Sequence, residues 1–148
     1  MSRLRWSGLL LCVLAAAGCT PGPGISMEIN GQFRDSQGGD VDLAKAYPAD
    51  WDRVCILGPY SDNAMAKSML GFDWDVEGQT AIHGNDGLSL LLFVRQDKVL
   101  AAVEHPRAMG DFTKLSGKCF ARGRARFYQV QRPEAGGPGL FPKELQSN

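Results

Sequence analysis

Residues 88–94, LSLLLFV, are apolar except for Ser89 and have turn residues on both sides. An apolar run of this length predicts a β-strand that is covered on both faces. Gln96, Asp97 and Lys98 separate this strand from a second one at residues 99–104, and the two form a predicted hairpin. We therefore expect a sheet with packing on both sides at the centre of the fold.

Other segments supply further strands and helices. In residues 51–58, Val54 and Ile56 alternate with Cys55 and Leu57, and the segment ends at Gly58-Pro59. This pattern predicts a second buried strand. Ser61 is a suitable N-cap for a helix that carries an apolar stripe and ends at Gly71. Weaker patterns predict a strand at 28–34, a short helix at 41–47, a strand or a connecting segment at 72–77, and a final alternating strand over 119–120 and 125–131.

This order of elements predicts the α+β class. We expect a mainly antiparallel sheet of four to six strands, with one or two short helices on one face. The domain is predicted to span residues 28–132. Residues 133–148 are rich in proline and glycine and are predicted to form a flexible tail.

The N-terminal residues have the layout of an export signal. Arg3 and Arg5 precede the apolar run 8–17 and a site of small residues, and the run is too short to cross a bilayer, which takes about 20 residues. Residues 14–19, LAAAGC, resemble the lipobox of bacterial lipoproteins, although Ala16 stands where that family most often has leucine. The resemblance implies removal of residues 1–18 as a signal peptide and acylation of Cys19, with palmitate among the usual chains. The alternative is an ordinary secretory signal that leaves Cys19 as a free thiol.

The same resemblance implies a location in the cell envelope. Residues 19–27 would be the lipidated cysteine and a short Pro/Gly tether, and the domain would face the periplasm. Thr20 occupies the place where an aspartate retains enteric lipoproteins in the inner membrane, so the outer membrane is the expected address. A periplasmic location argues against a nucleic-acid partner.

Cys55 and Cys119 are the two cysteines left in the domain after Cys12 is removed and Cys19 is acylated. An exported protein is in a compartment that permits disulfides, so we expect these two residues to be bridged. The alternative is a pair of separate buried thiols.

Metal-ligating and catalytic patterns are weak in this sequence. His83, Asp86 and His105 are the candidate metal ligands, because both histidines lie at predicted strand ends, but their spacing matches no known metal motif. Asp73, Asp75 and Glu77 do not fit the positions of a calcium loop. There is no GxSxG motif and no phosphate-binding loop, so we expect no cofactor and no enzymatic activity.

A candidate binding patch combines aromatic and basic residues. Tyr60 lies in a Gly-Pro-Tyr-Ser turn after a predicted strand, where binding residues are often found. Trp51 is a second candidate anchor. Arg122, Arg124 and Arg126 belong to a basic cluster with Lys114 and Lys118, which can bind anions but more often pairs with acids of the same domain.

Three classes of function fit these features. The favoured one is a lipid-anchored accessory module that binds an envelope or periplasmic protein, including an immunity or inhibitor lipoprotein that acts against a toxin or lytic enzyme. The second is a small hydrolase that uses Cys55 or a His83/His105 metal site. The third is a structural envelope factor without a discrete ligand.

Overall fold

The structure is a computed structural model, and it describes residues 21–37, 39–132 and 137–143. The predicted signal peptide and Cys19 lie outside these residues. The helices are α1 (Gly22–Asp35), α2 (Leu43–Ala46), α3 (Asn63–Leu70) and α4 (Val76–Gln79). The strands are β1 (Val41–Asp42), β2 (Arg53–Leu57), β3 (Leu88–Arg95), β4 (Lys98–Pro106), β5 (Lys118–Ala121), β6 (Arg126–Arg132) and β7 (Gly137–Pro142).

The larger sheet has four antiparallel strands in the order β4-β3-β2-β5. Strands β3 and β4 form the predicted hairpin, with Arg95 opposite Lys98 and a bulge between Phe93 and Val94. Gln96 turns the chain with φ of 52°, and the Asp52 carboxylate accepts its backbone N–H at 2.6 Å. Both the hairpin and the strand predicted at 51–58 are confirmed.

The two faces of this sheet pack against different layers. Val54, Ile56, Leu91 and Phe93 pack with α1, α2 and the smaller sheet. The residues that alternate with them point to the opposite face and pack with α3 and α4. These residues include Leu57, Leu90, Leu92 and Val94. Burial of both faces explains why β3 is apolar without alternation.

The smaller sheet has three antiparallel strands in the order β1-β6-β7. Phe127 of the central strand is fully buried, with Val41 opposite it, and Leu140 of β7 is buried in the same cluster. The α+β class and the antiparallel pairing are confirmed. The strands divide between two sheets of four and three, and helices cover both faces of the larger sheet rather than one.

Helix α1 corrects two predictions, because neither a tether over 22–27 nor a strand at 28–34 is present. Ile25, Ile29 and Phe33 recur every four residues and face the core, although the helix also contains three glycines and Pro23. Pro23 lies in the first turn, where proline is tolerated. Glycines lower helix propensity, so α1 depends on its packing against the rest of the domain.

Strand β7 corrects the prediction of a flexible tail for residues 137–143. Its residues pair with β6 from Gly137 opposite Arg132 to Pro142 opposite Phe127. Because β7 is at the edge of its sheet, it tolerates Pro138 and Pro142, which lack a backbone donor. The domain therefore extends from α1 to β7 rather than from residue 28 to residue 132, while residues 133–136 and 144–148 lie outside the description.

Capping residues determine where the short helices begin and end. The Asp42 carboxylate accepts the backbone N–H groups of Ala44 and Lys45 at the start of α2, as the pattern at 41–47 predicts. Helix α3 ends at Gly71 with φ of 84°, as predicted, but its N-cap is Asp62 rather than Ser61. The strand considered for 72–77 is wrong, because α4 begins at Val76.

Candidate functional site

Cys55 and Cys119 form a disulfide, which confirms the predicted bridge. The two residues lie directly opposite each other on the paired strands β2 and β5. Cys55 is fully buried in the cluster that packs with α3. A bridged cysteine is not a thiolate nucleophile, so the hydrolase hypothesis built on Cys55 is wrong for this state of the protein.

His83, Asp86 and His105 are not brought together. His83 is exposed, with Nδ1 4.0 Å from the Glu77 carboxylate, whereas His105 is fully buried on β4. Asp86 lies in the turn before β3, where its backbone carbonyl accepts a hydrogen bond from Arg107. Within residues 21–37, 39–132 and 137–143, no three histidine, cysteine or acidic side chains form a metal-binding group.

Sequence reasoning missed the pairing of His105 with Ser26. The Ser26 hydroxyl lies 2.9 Å from Nδ1 of His105, and both residues are buried between α1 and β4. Burial lowers the pKa of His105 to about 4, with a weaker opposing effect of the Met109 backbone. Nε2 has no hydrogen-bond partner in the described part of the chain, so no carboxylate there orients the ring as a catalytic base. The contact between Ser26 and His105 joins α1 to β4.

Trp51 is buried and is not part of a surface patch. Its side chain is 1% exposed, and the indole N–H donates to the Tyr47 carbonyl at 2.7 Å. The ring packs edge-on against Phe93, and the guanidinium of Arg122 lies 5.4 Å from its centre. Trp51 therefore stabilises the core, and the prediction that it anchors a binding patch is wrong.

The basic cluster is divided among different contacts. Arg126 donates to both carboxylate oxygens of Asp40, at 2.9 and 2.7 Å, and Lys143 lies 3.5 Å from the same carboxylate. The hydrogen bond from Arg126 lowers the pKa of Asp40, and burial only partly opposes it. Arg122 packs on Trp51, while Arg124 is exposed. Acids of the same domain account for part of the cluster, and the predicted patch of Trp51, Tyr60 and three arginines does not form one surface.

Tyr60 is the member of that predicted patch with the features of a binding residue. Its side chain is 62% exposed, and its backbone has φ of 65°, in the left-handed region that tyrosine rarely adopts. Met65, in the first turn of α3, is 45% exposed. We call residues 58–65 the Tyr60 corner.

Three hydrogen bonds hold the Tyr60 corner. The Tyr60 N–H donates to the Ile82 carbonyl at 2.9 Å, and the Ser61 hydroxyl donates to the Gly58 carbonyl at 2.7 Å. The Gly58 N–H in turn donates to the Ser116 hydroxyl at 2.8 Å. The strained conformation is thus fixed by neighbours on both sides, a combination that is often associated with function.

A second surface feature is a groove of about 640 Å³ along β4, the edge strand of the larger sheet. The start of α1 forms one wall, with Pro21, Pro23 and Met27, and Trp74 and Gln79 form the other. Met27 is 62% exposed at this wall. We call this feature the β4 groove; it had no signal in the sequence because its walls come from segments about 50 residues apart.

No helix in the described ranges is both long enough and apolar enough to cross a membrane. Comparison with models of protein families finds none that matches the chain. Searches of curated proteins and of solved structures find no match either.

Proposed function

We propose that the chain is an exported lipoprotein, anchored through Cys19, whose domain is a non-enzymatic binding module for a protein of the cell envelope. The outer membrane, with the domain facing the periplasm, is the proposed location. The Tyr60 corner is the proposed contact surface. The proposal joins the lipobox-like residues 14–19 to two features of the folded domain.

The first feature is the Cys55–Cys119 disulfide. Disulfides persist in extracytoplasmic compartments and are rare in reducing ones. The bond joins β2 to β5, the strand at the sheet edge opposite to β4. A covalent staple of this kind is compatible with export, as the N-terminal residues imply.

The second feature is Tyr60, and it is the observation that carries the binding function. An exposed tyrosine offers a large amphipathic contact area at a low cost in side-chain entropy. The hydrogen bonds of Ser61 and Gly58 fix the loop in advance, so little ordering remains on binding. An immunity or inhibitor lipoprotein is the narrower form of this function, because a pre-ordered contact loop favours tight binding to one partner.

Intact mass tests the anchor. Protein extracted from membranes should have the mass of residues 19–148 plus acyl chains, and it should react with an alkylating reagent only after reduction. A mass without acyl chains would refute the lipoprotein assignment.

Site-specific photo-crosslinking in cells tests the contact surface. A photoreactive amino acid at position 60 should give a discrete adduct with one envelope protein, and the same probe at Lys45, exposed on α2, should give none. Adducts of equal yield at both positions, or none at position 60, would refute the assignment of the Tyr60 corner.

A further inference from the structure

We infer that the β4 groove rests on the headgroup region of the bilayer that holds Cys19, with Met27 and Trp74 in contact with phospholipid. This inference rests on the proposed lipid anchor. It adds a defined orientation of the domain on the membrane, in which one named face is covered by lipid.

The chain between the proposed lipid and the groove is short. Pro21 lines the groove, and two peptide units separate its Cα atom from that of Cys19. Two trans peptide units span at most about 7.6 Å. The acylated residue is therefore confined to the immediate vicinity of the groove wall.

Pro21 has a fixed position on the domain because the helix that follows it is packed against β4. Gly22 is buried where α1 meets β4, and a Cβ atom at this position would lie 2.9 Å from the Ala102 carbonyl oxygen. Ile25 and Ile29 continue the contact into the core. Since the helix that leads from the anchor is docked, the domain has no long tether on which to rotate away from the membrane.

The walls of the groove carry side chains that suit a membrane interface. Met27 is one of three large hydrophobic residues that are exposed in the described structure, and Trp74 is half-buried across the groove from it. Tryptophan favours the membrane interface, where its ring contacts apolar groups and its N–H contacts polar ones. Leu100 and Met109 add apolar surface to the same groove.

The polar groups at the groove determine how deeply this face enters the bilayer and which class of lipid it contacts. Because β4 is an edge strand, one side of its backbone has no strand partner, and such groups are not stable in hydrocarbon. They fit the hydrated headgroup layer. Glu104 is the charged residue that lines the groove, and no lysine or arginine is among the described residues that line it. Zwitterionic headgroups suit it better than anionic ones.

Fluorescence quenching in vesicles tests the orientation. Trp51 and Trp74 are the tryptophans that remain after removal of Trp6 with the signal, and Trp51 is buried. Mature lipidated protein is reconstituted in phosphatidylcholine vesicles whose acyl chains carry bromine close to the headgroups. We expect a loss of emission relative to unbrominated vesicles, and no such loss in Trp74→Phe. Raising the salt concentration should not restore the emission, because charges do not hold the contact.

A spacer provides the matched control. A flexible Gly/Ser linker of about 15 residues between Thr20 and Pro21 leaves the lipid and the domain intact but lets the domain move away, so the quenching should disappear. Intact mass is measured on every sample, so that absence of lipid is identified separately as failure of the proposed anchor. Lipidated protein without quenching of Trp74 would overturn the orientation. Trp74 that is shielded from aqueous iodide but not quenched by bromine would overturn it too, because a protein segment would then cover the groove.

Discussion

The Ser26 hydroxyl of α1 lies 2.9 Å from Nδ1 of His105 on β4, which joins two residues that are 79 positions apart in the chain. This contact is buried and lies beside the face at which Gly22 meets the backbone of β4. The attachment of the first helix to the sheet thus depends on a neutral histidine and on a residue without a side chain. Both have measurable consequences for stability.

Stability should fall as the pH is lowered from about 6.5 to about 4. The buried His105 has its pKa lowered from 6.5 to about 4, so the unfolded chain takes up a proton in this range before the folded one does. The contribution is complete above the unfolded pKa and disappears as the pH approaches the folded one, a difference of about 3 kcal/mol. Urea denaturation at a series of pH values measures it.

His105→Gln should be less stable than the wild type at neutral pH but should show a flatter profile between pH 6.5 and 4. His83→Gln, at an exposed position, is the control and should keep the wild-type profile. A wild-type free energy of unfolding that stays constant through this window would contradict the assignment of a neutral buried imidazole.

Gly22 and Gly24 should respond in opposite directions to the same substitution. A Cβ at Gly22 would lie 2.9 Å from a backbone oxygen, so Gly22→Ala should cost about 1–3 kcal/mol through overpacking. A Cβ at Gly24 would meet nothing within 4 Å, and Gly24→Ala should gain up to about 1 kcal/mol from helix propensity. Thermal denaturation of the two variants measures both effects. Equal shifts would show that α1 is not docked at Gly22.

Loss of the disulfide should destabilise the domain without unfolding its sheet pairing. Cys55 and Cys119 are 64 residues apart, and the chain-entropy model gives a cost of about 4 kcal/mol for opening a loop of this length. The Cys55→Ala, Cys119→Ala double variant should therefore denature at a lower urea concentration than the oxidised wild type. Reductant should lower the midpoint of the wild type and leave that of the double variant unchanged; an effect on both would contradict the role of the bond.

Tyr60→Gly should separate binding from stability. Glycine adopts φ of 65° without the strain of a Cβ, which is worth about 1–2 kcal/mol per residue, although its greater freedom in the unfolded chain offsets part of the gain. We therefore expect unchanged or higher stability together with loss of the partner adduct formed by a photoreactive probe at Met65.

Gln96→Gly is the matched control for Tyr60→Gly, because Gln96 also has positive φ, in the turn between β3 and β4. It should have the same kind of effect on thermal stability and should leave the adduct intact. An adduct that survives Tyr60→Gly would show that the tyrosine side chain is not the contact.

The sequence predicted those elements whose signals are local. The apolar run of β3, the turn after it and the glycine that ends α3 each act over a few residues, and all are present. The disulfide followed from counting cysteines in a chain whose N-terminal residues predict export. In these cases the residues that form the sequence pattern are also the residues that cause the structure.

Elements that depend on distant partners were missed. Helix α1 has glycines and a proline that indicate a tether, and it is held by contacts such as Ser26 with His105. Strand β7 has a similar composition and is held by β6 and by the buried Leu140. Tryptophan often anchors binding patches. Trp51 instead lies in the core, where it donates to the Tyr47 carbonyl and packs against Phe93. These contacts form only in the folded domain, so a local sequence pattern does not predict them.

The position of β7 also affects when the protein can finish folding. Leu140 is buried beside residues of α1, β1 and β3, all of which are synthesised earlier. The backbone N–H of Leu140 donates to the Asp111 carbonyl at 2.8 Å, so the same strand also holds the loop before β5. A chain whose residues 137–142 are still on the ribosome has an incomplete core. The domain therefore reaches its stable form only after residues 137–142 are free to pair with β6, so its final packing waits for a strand that is made late in synthesis.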